Sequence, residues 1–264
     1  MKDTSKKYLK KLLIVAIWLG IWQGIAAIIN NQFLFAGPYE SLIALINLIQ
    51  TSDFWLSIGN TTLRILIGLV SGIIIGVLLA LIGYKVKFID DFLSPVMTVF
   101  KSIPVVSFII IIIIWIGPSW MSLVVVFLVI LPIIYTNFLN GLKAIDKNMI
   151  ELGKVYKVNN KNKLKYIYVP ALSGYIFSAL EISIGMAWKS GVAAEVVGQP
   201  LKTIGDAIYL SKVYLATPDL FAYTFVTILL SFCFERLILL LIKKITKSKN
   251  INTNVISKTK LDIK

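Results

Sequence analysis

Four ionisable side chains stand inside stretches of sequence that are otherwise apolar: Lys101, Glu181, Lys189 and Glu195. In hydrocarbon a charge costs about 3 kcal/mol on insertion scales, so each needs a partner, a wet cavity or a passing solute of opposite sign. Lys189 follows Trp188 and precedes Ser190 and Gly191, on a stretch that also holds Gly174, Ser178, Ser183 and Gly185. A helix so rich in small and polar residues faces protein or water rather than lipid. Glu181 is the carboxylate nearest to Lys189, but eight residues put it about 80° around an ideal helix and about 12 Å along it. A direct pair within the helix is disfavoured, and the partner must come from another helix, another subunit or the solute. For Glu181 and Lys189, structural ion pairing and the lining of a solute path both stay open, and Lys101 is similar. Glu195 is expected near the outer interface, where its cost is smaller. Arg64, and Glu235 with Arg236, suit snorkelling at span ends.

Other chemistry is excluded by what is missing. The 264 residues contain no His, and Cys233 is the one cysteine. His-based acid–base catalysis, most zinc sites and an intrachain disulfide are therefore out. No G-x-x-x-x-G-K-[ST] phosphate loop occurs, so any ATP hydrolysis belongs to a partner. A membrane enzyme acting on lipid would need clustered carboxylates, His or Cys, and here the carboxylates are scattered. The expectation is that the chain is not an enzyme.

The elements that position these residues follow from composition. Residues of the AVILMFWYC set make up 58% of the chain and charged residues 15%, with a mean hydropathy of +0.84. An ordinary soluble domain has about 25% charged residues. Lipid must be the solvent for much of this surface. Six runs approach the roughly 20 apolar residues that a spanning helix needs: 12–29, 63–83, 92–116, 119–139, 171–196 and 219–242. A basic tail, 1–11, precedes this 12–242 membrane domain, and a second, 243–264, follows it. The second is Lys-, Asn- and Thr-rich and is expected to be disordered beyond its first turn. The net charge of +14 is almost all lysine. Twenty-one of the 27 basic residues lie in the two tails and the second-to-third and fourth-to-fifth connections, against two in the alternate connections. The positive-inside rule then puts both termini in the cytoplasm, which six spans require. This distribution also argues against nucleic acid as the partner.

Within the spans, Gly68, Gly72, Gly76 and Ala80 recur every four residues, a ridge that lets another backbone approach closely, within the chain or across a subunit interface. Pro95, Pro104 and Pro132 lie in the third and fourth spans and should kink them. Two connections on the outer side, 38–50 and 203–214, have apolar residues at helical spacing and are expected as short surface helices.

The longest lysine-rich connection, residues 140–170, reads as two short helices, the first over 146–158 and the second from 160 to just before Pro170. Met149, Leu152, Val155 and Tyr156 form one apolar face of the first. Such a hairpin suits a soluble partner or, alternatively, a lipid surface. Its residues resemble the coupling loop of the permease subunits of bacterial ATP-binding-cassette importers, Glu-Ala-Ala, three residues, Gly, nine residues, Ile-x-Leu-Pro. Glu151, Ile167 and Pro170 match it, while Leu152, Gly153, Lys157 at the glycine position and Val169 depart from it. Ser102-Ile103-Pro104 with Trp115-Ile116-Gly117, and Ala187-Trp188 with Ala193-Ala194-Glu195-Val196-Val197-Gly198, are similar to the nitrate, sulfonate and taurine branch.

The resemblance implies an all-α permease with six spans and a coupling hairpin in a bacterial inner membrane. It implies cytoplasmic ATPase subunits that bind the ATP and Mg, with no cofactor in this chain. It further implies an external solute-binding protein and a second permease subunit, in a homodimer or a heterodimer with a close relative. The solute would be a nitrate, sulfonate or taurine-like anion, or alternatively a pyrimidine precursor of thiamine. A transporter working without ATP is the remaining alternative from another class.

Overall fold

The computed structural model describes residues 2–248. Among them there is no strand. The helices are α1 (Lys2–Ile29), α2 (Pro38–Ile49), α3 (Ser52–Lys85), α4 (Lys87–Ser102), α5 (Val105–Ile116), α6 (Met121–Lys143), α7 (Lys147–Val155), α8 (Asn160–Lys163), α9 (Val169–Gly198), α10 (Ile204–Val213) and α11 (Thr217–Ser248). A π-turn over Leu164–Tyr168 joins α8 to α9. The stretches 38–50 and 203–214 are helical as expected, as α2 and α10. The basic residues from Lys2 to Lys11 are helical and continuous with the first span in α1. At the other end α11 continues to Ser248. The disorder expected of the C-terminal tail falls on 249–264, outside the described residues.

Five helical segments are long and apolar enough to cross a bilayer: Leu9–Ile29, Ser52–Lys85, Pro118–Lys143, Asn160–Gly198 and Thr217–Leu240. The remaining apolar run is a bent pair of helices. The expected third span, 92–116, is two helices, α4 and α5, meeting at 101°. Ile103 and Pro104 are both extended, with ψ of 130° and 132°. Proline cannot continue the hydrogen-bond ladder and drives the residue before it out of the helical region. Twelve residues give α5 a length of only about 18 Å, too little to cross the hydrocarbon alone. Pro95 and Pro132, by contrast, sit inside continuous helices.

The described residues group into two compact units. The first draws on Met1–Gly68, Pro104–Val126 and Trp188–Leu230. Its buried side chains include Phe54, Ile65, Ile109, Met121, Val125, Trp188 and Ile204. In this unit α1 is held near its C-terminal end, where Trp22 Nε1 donates to the Ala36 carbonyl at 3.0 Å and its ring stands 5.4 Å from that of Phe221. Most other apolar side chains of α1, Trp18 among them, are exposed, as befits a helix in lipid.

The second unit draws on Leu69–Ile103, Phe127–Ala187 and Ser231–Lys264. Ala80, Met97, Leu131, Tyr135 and Leu139 form one core, joining α3, α4 and α6. Leu142, Ile145 and Leu172 form another, on which Ile150 and Ile167 pack.

The glycine ridge of α3 seats α6. In the first unit a Cβ on Gly68 would stand 2.5 Å from the Leu123 carbonyl oxygen. In the second, Cβ atoms on Gly72 and Gly76 would stand 3.1 Å and 3.0 Å from the Cβ atoms of Ile130 and Ile134. Of the two uses open to the ridge, packing within the chain is the one the structure contains.

Candidate functional site

The hairpin begins at Asp146, whose carboxylate accepts from the Asn148 amide at 2.9 Å and caps α7. Two residues of α7 turn inward. Ile150 packs on the Leu142–Ile145–Leu172 core, and buried Gly153 leaves room for Ile167, whose Cδ1 would stand 3.2 Å from an added Cβ. The opposite side is open: Met149 is 52% and Leu152 51% exposed, Val155 75% and Tyr156 76%, with Glu151 beside them. The four apolar side chains expected on one face are therefore brought together and uncovered.

The helix closes at Lys157. Its amide donates to the Lys154 carbonyl at 3.0 Å, and that of Val158 donates to Gly153 at 2.9 Å. These are the two bonds of a Schellman turn. Lys157 has φ of +49°, the left-handed region where glycine is cheapest. The turn geometry survives the loss of the glycine, at the expense of strain in a side-chain-bearing residue. The second helix differs from expectation. It does not stop before Pro170 but passes through the π-turn into α9, with Pro170 in the first turn of that helix. Proline clashes with the carbonyl four residues earlier, and the wider turn before it gives that carbonyl room.

On α9, Gly174, Ser178, Glu181, Lys189 and Ala193 are exposed, and Gly185 is half-buried with open space where a Cβ would go. Their spacing of three, four and eight residues puts them along one stripe. Neither Glu181 nor Lys189 is in an ion pair among the described residues, while Trp188 is buried. Lys101, at the end of α4, donates from Nζ to Thr136 Oγ1 at 2.7 Å.

Glu195 is different, being 0% exposed. One carboxylate oxygen accepts from Thr61 Oγ1 of α3 at 2.7 Å and from the Gly205 amide at 3.4 Å, and the other accepts from Ser122 Oγ of α6 at 3.2 Å. Thr61 Oγ1 in turn accepts from the Ile204 amide at 2.9 Å. The carboxylate thus caps α10 from another helix. A Cβ on Gly205 would collide with Glu195, so only glycine fits there. Arg64 acts on the carboxylate electrostatically, and its Nη1 is buried with no hydrogen-bond partner among the described residues. Glu195 therefore ties helices together inside the first unit. Its partners do not stand out in the sequence, although Thr61 and Ser122 are polar residues at the edges of apolar runs.

Known proteins share both the sequence and the fold. Residues 72–247 match the family described as the binding-protein-dependent transport system inner membrane component. A Bacillus subtilis protein named for aliphatic sulfonates transport, SsuC, is 24% identical over 94% of this chain and 91% of its own. The nitrate import permease protein NrtB of Synechococcus elongatus is 29% identical over 73% of this chain and 72% of its own. The formylaminopyrimidine transport permease protein ThiX of Halalkalibacterium halodurans is 25% identical over 86% and 90%. Among solved structures, a bacterial ABC transporter that imports the acidic polysaccharide alginate shares the fold, with a TM-score of 0.58, 17% identity and coverage of 94% of this chain and 98% of that one. The apolar spans, the exposed hairpin face and a match over two-thirds of its length converge, and the chain belongs to the family of binding-protein-dependent transport system inner membrane components.

Proposed function

We propose that this chain forms, as a pair of copies, the path by which a small oxyanion of the nitrate, sulfonate or taurine type enters the cell. Both termini and the hairpin face the cytoplasm, where each hairpin docks by Met149, Leu152, Val155 and Tyr156 in a groove of an ATPase subunit. The ATPase holds ATP and Mg and does the hydrolysis, and a binding protein delivers the solute at the α2 and α10 end. ATP-driven approach of the ATPase subunits draws the hairpins together and shifts the spans between two states.

The observation that carries the choice of solute is the exposed stripe of α9, on which Lys189 is the cation, two turns beyond the carboxylate Glu181 and among small residues. A cation in a bundle suits a passing anion, and the relatives named for sulfonates and nitrate point to the same charge. A pyrimidine precursor of thiamine is the second reading, favoured by the ThiX relative. The test is uptake into proteoliposomes holding the whole complex, with nitrate, taurine, ethanesulfonate and formylaminopyrimidine offered in turn. An anion should be imported, and Lys189→Met should impair its uptake far more than Lys189→Arg at equal assembly. Import of the neutral pyrimidine alone would overturn the anion reading. A Lys189→Met chain that fails to accumulate would mark Lys189 as part of a structural ion pair.

A further inference from the structure

The second unit holds a polar cluster centred on Asp90, apart from the outer face of the hairpin. This residue, in the first turn of α4, is only 8% exposed. Its carboxylate accepts from Lys143 Nζ at 2.5 Å, from Ser94 Oγ at 2.9 Å and from the phenolic hydroxyl of Tyr135 at 3.1 Å. The Lys143 pair is the one ion pair among the described residues. Asp90 is shielded while Lys143 is half exposed, and their contact ties the first turn of α4 to the last residue of α6.

Position gives this contact its meaning. Lys143 is the last residue of α6, three residues before the Asp146 cap of the hairpin. The same turn of α6 carries Leu142, on which Ile150 of α7 and Ile167 of the π-turn pack together with Ile145. The end of α6 therefore grips the hairpin with its apolar side chains and α4 with its ammonium. Close packing resists independent sliding of either neighbour. At its other end α4 finishes at Ser102, where the helix breaks before α5, and there Lys101 holds Thr136 of α6. Every link in this series lies in one compact unit.

We propose that Asp90 and Lys143 are positioning residues for energy coupling: their contact carries displacement of the hairpin into α4, and so to the break at residues 102–104. This rests on the reading that an ATPase drives the hairpin. Tyr135, on α6 about two turns before Lys143, and Ser94 can still satisfy a neutral group at position 90, so what the charged contact adds is a hold on the last residue of α6, where the hairpin begins.

The test uses the complete complex in nanodiscs, in a Cys233→Ser background, with a spin label on Ser102→Cys. The probe is ATP with vanadate against the nucleotide-free state, which needs no knowledge of the solute. The parent should trap ADP and show a changed label spectrum. Lys143→Arg should keep both. Lys143→Met and Asp90→Asn should trap ADP to the parent level and lose most of the spectral change. Because Lys143 is half exposed, its Met variant is the one expected to fold and assemble without difficulty. Three outcomes overturn the proposal: no spectral change in a parent that traps ADP, an unaltered change in Lys143→Met, or loss of assembly in Lys143→Met, which would make the contact a folding clasp. Failure of the parent complex to trap ADP would instead contradict the importer reading.

Discussion

At the scale of single residues, burial decides which charges hold the molecule together and which stay free to act. Glu195 accepts three hydrogen bonds with no exposed surface, so Glu195→Ala would strand two hydroxyls and an amide at about 1–3 kcal/mol each. That variant should fail to accumulate in membranes. Glu195→Gln keeps an acceptor for Thr61 and Gly205 and gives Ser122 a donor, but leaves Arg64 without its carboxylate. It should accumulate at a lower melting temperature than the parent, and equal loss in both variants would show that the charge, not the hydrogen bonds, matters. Lys157 offers the opposite sign. A left-handed residue with a side chain costs about 1 kcal/mol, so Lys157→Gly should slow amide exchange at residues 157 and 158 by about fivefold. Unchanged exchange would mean that the turn is not where the hairpin opens. The partners of Glu195 were illegible in the sequence because they come from positions 134, 73 and 10 residues away. A buried carboxylate advertises that partners exist, but not which ones.

At the scale of elements, the α3 ridge makes a sharp demand. Gly68 stands so close to the Leu123 carbonyl that Gly68→Val must push α6 away, which overpacking studies put at about 1–3 kcal/mol. The variant should melt lower in detergent and show weaker α3–α6 cysteine cross-linking, whereas an unchanged melting temperature would deny the contact. This ridge could be read in the sequence because four-residue spacing maps directly onto a helix face, although its partner helix could not. The hairpin was legible for the same reason: Asp146 marked the start of α7 and 149, 152 and 156 marked its outer face. The third span was legible only in part. Pro104 announced a disturbance, but a kinked helix and a 101° break look alike in sequence, since proline forbids continuation without fixing the direction of the next helix. Pro170 misled in the other direction, as the π-turn before it lets the helix run on.

At the scale of the whole molecule, one chain leaves a polar and small-residue stripe of α9 uncovered, and the proposed function places it on the path between two copies. Single cysteines placed over 178–191, in a Cys233→Ser background, should cross-link into dimers at some positions, and monomers at every position would count against a pair with α9 at its centre. The apolar spans and the family match agree on the inner-membrane component of a binding-protein-dependent transport system, and the proposed function has it driven by a separate ATPase. The most direct test of that claim is ATP hydrolysis by the reconstituted complex, with and without its solute-loaded binding protein, for the parent and for Leu152→Asp. Hydrolysis in the parent should be stimulated by the loaded binding protein, and Leu152→Asp should lose that stimulation with membrane insertion intact. Solute uptake that proceeds without the ATPase, or stimulation that survives in Leu152→Asp, would contradict it.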